Sequence, residues 1–242
     1  MKKIVTIFII CLLQLSAVYA LPRGGRVGQY FAKFLDESEA ESVISEMLFE
    51  SFKLNVPQNI KISESLELTA RIRELAGKNV RKGVNLRVFI AETPICDEVF
   101  FPGGIVLLTR GLMDMLDNAH LVDFILARNV AISSMNYPMK LIKREGLYPK
   151  LLNWIKVVKR NKQAVLPTAF LGSYLHSLST IDQQKADSQG IKLTPDPEAS
   201  KSAAIRLMSQ YQSLVWPPSP PYPRSFLPRL QALRHLKLST KH

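Results

Sequence analysis

The amino-acid sequence predicts an α+β fold, mainly helical, with a small sheet or β-hairpin, and three observations carry that prediction. Apolar residues recur at helical spacing between acids from Asp36 to Lys53, and again from Ser63 to Val80. Two short apolar runs follow, Asn85 to Ala91 (NLRVFIA) and Gly104 to Thr109 (GIVLLT), separated by a connection from Pro94 to Pro102, which is how strands are bounded. From Arg110 the helical spacing returns and persists through most of the remaining chain. With 242 residues, 47% hydrophobic and 21% charged, the chain is long enough for one sizeable core, and collagen, extended disorder and a disulfide-stapled miniprotein are excluded.

The elements are justified in order. Lys2 and Lys3 precede the apolar run Ile4 to Leu13, and Val18 and Ala20 occupy small-residue cleavage positions, so residues 1–20 are expected to be a signal peptide cleaved after Ala20. An apolar core of about ten residues is short of the roughly twenty that span a bilayer. Cleavage takes Cys11 with it and leaves Cys96 alone, so residues 21–242 form no internal disulfide and are expected to make a single domain. In the first helix Val43, Ile44, Met47, Leu48 and Phe52 share a face, and Pro57 ends the pattern. The second repeats the pattern with Leu66, Leu68, Ile72 and Leu75. After the strands come helical stretches at Gly111 to Leu116, His120 to Met135, Leu147 to Lys162, Leu175 to Gly190 and Ala203 to Leu214. Residues 217–228 (PPSPPYPRSFLP) are expected to run extended or as polyproline helix. Leu227, Leu230, Leu233 and Leu236, beside Arg229, Arg234 and Lys237, then predict a basic amphipathic helix over 227–238, packed on its own domain.

Without Lys2 and Lys3, the 32 basic residues fall to 30 against 20 acidic ones, a net charge of +10. The excess is concentrated between Lys140 and Lys162, where eight cations face the single acid Glu145. Leu147, Leu151, Leu152, Trp154, Ile155 and Val158 lie among them, so an anionic membrane surface is one candidate partner, met through Lys156, Lys159 and Arg160. The alternative is that those apolar residues are core and the cations a solvated face. Export removes the chain from nucleic acid, which is not expected as a partner.

Pro102-Gly103-Gly104, then Thr109-Arg110-Gly111-Leu112, then Leu116-Asp117-Asn118 ahead of a long helix, follow one another with spacings that resemble the HtpX/BepA-type gluzincin metallopeptidases, peptidase family M forty-eight. The similarity is strong over about fifty residues from Asn85 to Asn136, and weaker through Ala186-Asp187 and Gly190. The resemblance implies a zincin-like fold. It also implies a helix carrying H-E-x-x-H, in which two imidazoles bind zinc and the glutamate activates the metal-bound water. Here those positions hold Arg128, Asn129 and Ile132, and the position of the third ligand, a glutamate in the family, holds Gln183. A permanent cation, an aliphatic chain and two amides supply neither ligands nor a base, so the family's zinc is expected to be lost, with no cofactor in its place. The resemblance gives Asp187 the role of orienting a ligand histidine. With Arg128 at that histidine's position, either Arg128 and Asp187 pair across the former metal site or Arg128 turns outward to solvent.

The function expected from these residues is that of an exported, periplasmic or secreted metallopeptidase-like protein without catalysis. It would bind a polypeptide or envelope protein along an edge strand formed by Ile105, Val106, Leu107, Leu108 and Thr109. Two alternatives stand beside it: an active metalloendopeptidase with a rearranged site, and the membrane-surface binder. No G-x-S-x-G occurs, Cys96 has no histidine nearby in sequence, and no two of His120, His176, His235 and His242 stand four apart.

Overall fold

The computed structural model describes residues 37–81, 83–144, 151, 178–213 and 222–238. Its architecture is α+β, with a four-stranded mixed sheet set among helices. In chain order the elements are α1 (Glu37–Asn55), β1 (Ile62–Glu64), α2 (Leu66–Ala76), β2 (Arg87–Ala91), β3 (Glu98–Phe100), a 3-10 turn (Pro102–Gly104), β4 (Ile105–Thr109), α3 (Arg110–Met113), α4 (Ala119–Ser134), α5 (Tyr137–Arg144), α6 (Thr180–Leu193), α7 (Pro197–Ser213) and α8 (Tyr222–His235). None of these helices is long and apolar enough to cross a membrane.

The strands run in the order β1-β2-β4-β3: β1 is antiparallel to β2, β2 parallel to β4, and β3 antiparallel to β4. Alternate side chains enter two cores. Val88, Val106 and Leu108 meet Leu68, Ile72, Phe124, Leu207, Leu230 and Leu233 on one face. Phe89, Ala91, Ile105 and Leu107 meet Ala40, Ile44, Leu48, Phe49, Met139 and Ile142 on the other. A sheet covered on both faces has no polar side, which is why VFIA and IVLLT are continuous apolar runs.

Several expectations are corrected. Ile105–Thr109 is not an edge: β4 is hydrogen-bonded to β2 on one side and β3 on the other, and all five of its residues are buried. Nor do the two apolar runs make a hairpin with each other, since they pair in parallel, and the antiparallel partner of β4 is β3, inside the expected connection. The second helix is shorter than Ser63 to Val80, because Ile62–Glu64 pairs with β2 before Ser65 caps α2 by accepting from the Leu68 N–H. At its other end the backbone turns at Gly77, with φ 48°. The α7 helix begins at Pro197 rather than Ala203, with Asp196 accepting from the Ala199 N–H and proline in the first helical position, where its missing N–H costs nothing. From Tyr222 the proline-rich stretch is helical and not extended, and α8 includes Pro228. The signal peptide, the segment 152–177 and residues 214–221 lie outside the described residues.

Candidate functional site

Two helices make the site possible by approaching closely. On α4, Asn118 accepts from the Leu121 N–H at 3.0 Å and fixes the start of a helix whose middle is wholly buried. On α6, Ser179 caps the start by accepting from the Asp182 N–H, and Gly190 lies directly against the α4 backbone. A Cβ at Gly190 would stand 2.7 Å from both Cα and N of Arg128. Asp187, nearly one turn before Gly190, is thereby placed against the Arg128 side chain.

The result is a buried network of charges. Arg128 donates from Nε to Asp187 Oδ1 at 2.8 Å and from its terminal nitrogen to Glu98 on β3. Arg229 on α8 donates from Nε to Asp187 Oδ2 at 2.7 Å and from a terminal nitrogen to Oδ1 at 2.8 Å, a two-pronged contact. Its other terminal nitrogen donates to Gln183 Oε1 at 3.1 Å, and the Gln183 amide donates to the Leu178 carbonyl at 3.1 Å. Asn129 donates to Glu98 Oε2 at 3.0 Å and to the Ile125 carbonyl at 2.9 Å. Arg128 is 2% exposed, and Asp187 and Arg229 are each 1% exposed, so these charges have left water. Burying one such ion alone costs several kcal/mol. Each guanidinium is paired with a carboxylate among the described residues, and that pairing offsets the cost of burial.

Arg128, Asn129, Gln183 and Asp187 are thus brought together, and of the two placements open for Arg128 the inward one occurs. Ile132 is buried one turn further along α4. Glu98 and Arg229 also belong to the network and were missed by the sequence reading. Arg229 had a signal: it stands four residues before Leu233 and next to Leu230, both buried, and so falls on the apolar face of its helix. Glu98 had a weaker one, an acid inside an otherwise apolar strand. Asn129 Oδ1 and Ser133 Oγ, one turn apart, are buried with no hydrogen-bond partner among the described residues.

The zinc that the resemblance implies does not suit these side chains. A zinc site needs thiolate, imidazole or carboxylate donors around a dication. Here two permanent cations occupy the space, and both carboxylates are already bound to them. The Ile105–Thr109 strand lies in the interior of the sheet and offers no edge to a peptide. Of the basic segment, Lys140 and Lys143 are exposed while Met139 and Ile142 are core; Lys156, Lys159 and Arg160 lie outside the described residues.

Asp97, beside Glu98, has the other unusual environment. Thr109 joins the two segments, its hydroxyl accepting from the Asp97 N–H at 2.8 Å and donating to the Asp97 carbonyl at 3.0 Å. Burial above all pushes the Asp97 carboxyl up to about 7; the Glu98 N–H pulls it down, and the Glu98 charge adds a smaller push upward. An acid raised by folding keeps its proton in the native state while the unfolded chain, with a carboxyl near pKa ~3.9, has lost it. Stability therefore falls as pH rises from about 4 to about 7. Asp97→Asn keeps the acceptor for Glu98 N–H and removes the titration, so the variant is expected to melt above the parent at pH 8 and together with it at pH 4. Equal melting temperatures at pH 8 would contradict this.

The chain matches no known protein-family model and no curated protein.

Proposed function

We propose that this chain is an exported, metallopeptidase-like scaffold of zincin type that has lost zinc chemistry and acts by binding a polypeptide or envelope protein without cleaving it. One observation carries the reading: Asp187, the residue that would orient a ligand histidine, is engaged by the guanidinium groups of Arg128 and Arg229. The positions of both metal-binding histidines, the base and the third ligand hold residues that neither coordinate zinc nor accept a proton, and the network gives their polar side chains another task. The same observation counts against an active endopeptidase with a rearranged site at this place. The membrane-surface reading draws no support from α5, whose apolar residues face the core.

The test is the zinc content of the purified protein, taken with cleavage of an unfolded casein substrate under added zinc and under chelator. The expected result is less than stoichiometric zinc, no chelator-sensitive cleavage, and retention of casein by the intact chain. About one zinc per chain, or cleavage that chelator abolishes, would overturn the loss of catalysis. Casein neither retained nor cleaved would overturn polypeptide binding.

A further inference from the structure

We propose that the contact between α4 and α6 forms a guanidinium-binding site whose resident ligand is Arg229, supplied in cis by the C-terminal helix α8. The acceptors are arranged for a planar ion. Asp187 meets one edge of the Arg229 guanidinium with both oxygens, at 2.7 and 2.8 Å, and Gln183, one turn earlier on the same helix, meets the remaining terminal nitrogen at 3.1 Å. An ammonium, as a compact point charge, has no planar fork to satisfy three acceptors set out in this way.

The acceptors are themselves held in place. Gln183 is oriented by its donation to the Leu178 carbonyl, which leaves its oxygen toward Arg229. Asp187 is fixed from the opposite side by Arg128, whose backbone is pinned against Gly190. The acceptors are therefore held by contacts to α4 and to the residues leading into α6 as well as by Arg229. Among the cations of this segment the contrast is sharp: Arg229 is 1% exposed, whereas Arg234 near the end of α8 and Lys237 just beyond it lie in solvent. A helix draws one guanidinium out of water only where paired acceptors offset the desolvation. Gln184 donating to the Pro228 carbonyl at 3.0 Å, with Leu230 and Leu233 in the core, seats the same turn of α8 over the site. Docking of the C-terminal helix is thus tied to occupation of the site. The inference uses the same Asp187 contacts as the proposed function but makes no use of polypeptide binding, and its experiment reads ion-specific stability rather than zinc content or cleavage, so the two failures are distinguishable.

The experiment uses the full chain with Arg229→Ala, Arg229→Lys and the double variant Asp187→Ala with Arg229→Ala, read as melting temperature with methylguanidinium or methylammonium at equal ionic strength. Arg229→Ala is expected to melt about 10 °C below the parent, as the loss of one partner of a buried pair implies for a domain of this size. Arg229→Lys is expected to regain little of that loss. Methylguanidinium should raise the Arg229→Ala melting temperature with increasing concentration, as any ligand of the native state alone does. Methylammonium should not, and neither ion should raise the double variant or the parent, whose site is filled. If Arg229→Ala does not stay folded, the yield of native protein on refolding in each ion makes the same comparison. Arg229→Lys melting with the parent, equal rescue by the two ions, or equal rescue of the double variant would overturn the proposal.

Discussion

Asp187→Ala is expected to destabilise the chain by at least about 3–5 kcal/mol, the cost of breaking a buried ion pair by removing one partner. The effect should be at the top of that range, because Asp187 serves two guanidinium groups. Its loss removes a buried acceptor from Arg128 and Arg229 together, both of them almost fully out of water. Against a total stability of about 5–15 kcal/mol for an ordinary domain, such a change is large enough to unfold much of the population. Asp187→Asn retains shape and one acceptor and should cost less, which separates charge from packing. A third variant makes the claim sharper. Replacing Glu98, Arg128, Asp187 and Arg229 together by apolar residues of similar volume should recover most of the stability lost in Asp187→Ala, since removing every charge avoids the desolvation cost that removing one leaves behind. Denaturant unfolding of the three variants decides it. Should Asp187→Ala unfold at the same denaturant concentration as the parent, the network would not hold the fold.

How much of this was legible depends on the length of the pattern that encodes it. The helix expected from Asp36 to Lys53 is found as Glu37–Asn55, and the one expected from His120 to Met135 as Ala119–Ser134, because each repeats its spacing over four or more turns. β1 and β3 have three residues each, too few for an alternation to show, and they owe their conformation to β2 and β4 across the sheet. The misplaced edge has a related cause. IVLLT has no polar face, which is what a strand paired on both sides and covered above and below requires, but strand order rests on contacts between distant residues. At the site, the resemblance singled out Arg128, Asn129, Ile132, Gln183 and Asp187 one by one. The pair of Arg128 with Asp187 was one of two placements that the sequence left open, whereas Arg229, though on the apolar face of its helix, gave no sign of which acceptors it would meet.

Gly190→Ala is the second large effect expected, and its sign opposes local propensity. Gly190 is inside α6, where alanine ordinarily gains about 1 kcal/mol over glycine. Here the added methyl would meet Arg128 Cα and N at 2.7 Å and the Ala127 carbonyl carbon at 3.2 Å, all of them backbone atoms of a buried helix that cannot turn aside. The helices must separate, and the hydrogen bond at 2.8 Å between Arg128 and Asp187 stretches with them. Overpacking of this kind costs about 1–3 kcal/mol, and the weakened ion pair adds to it, so the net change should be a loss of about 2 kcal/mol or more. The two causes can be separated by combining substitutions. If Gly190→Ala acts partly by pulling Asp187 from Arg128, then Gly190→Ala and Asp187→Asn together should cost less than the sum of the two alone, by about 0.5–3 kcal/mol. Strict additivity would confine the effect to the helix contact, and a Gly190→Ala variant more stable than the parent would mean that α4 and α6 do not approach as closely as the backbone of Arg128 requires.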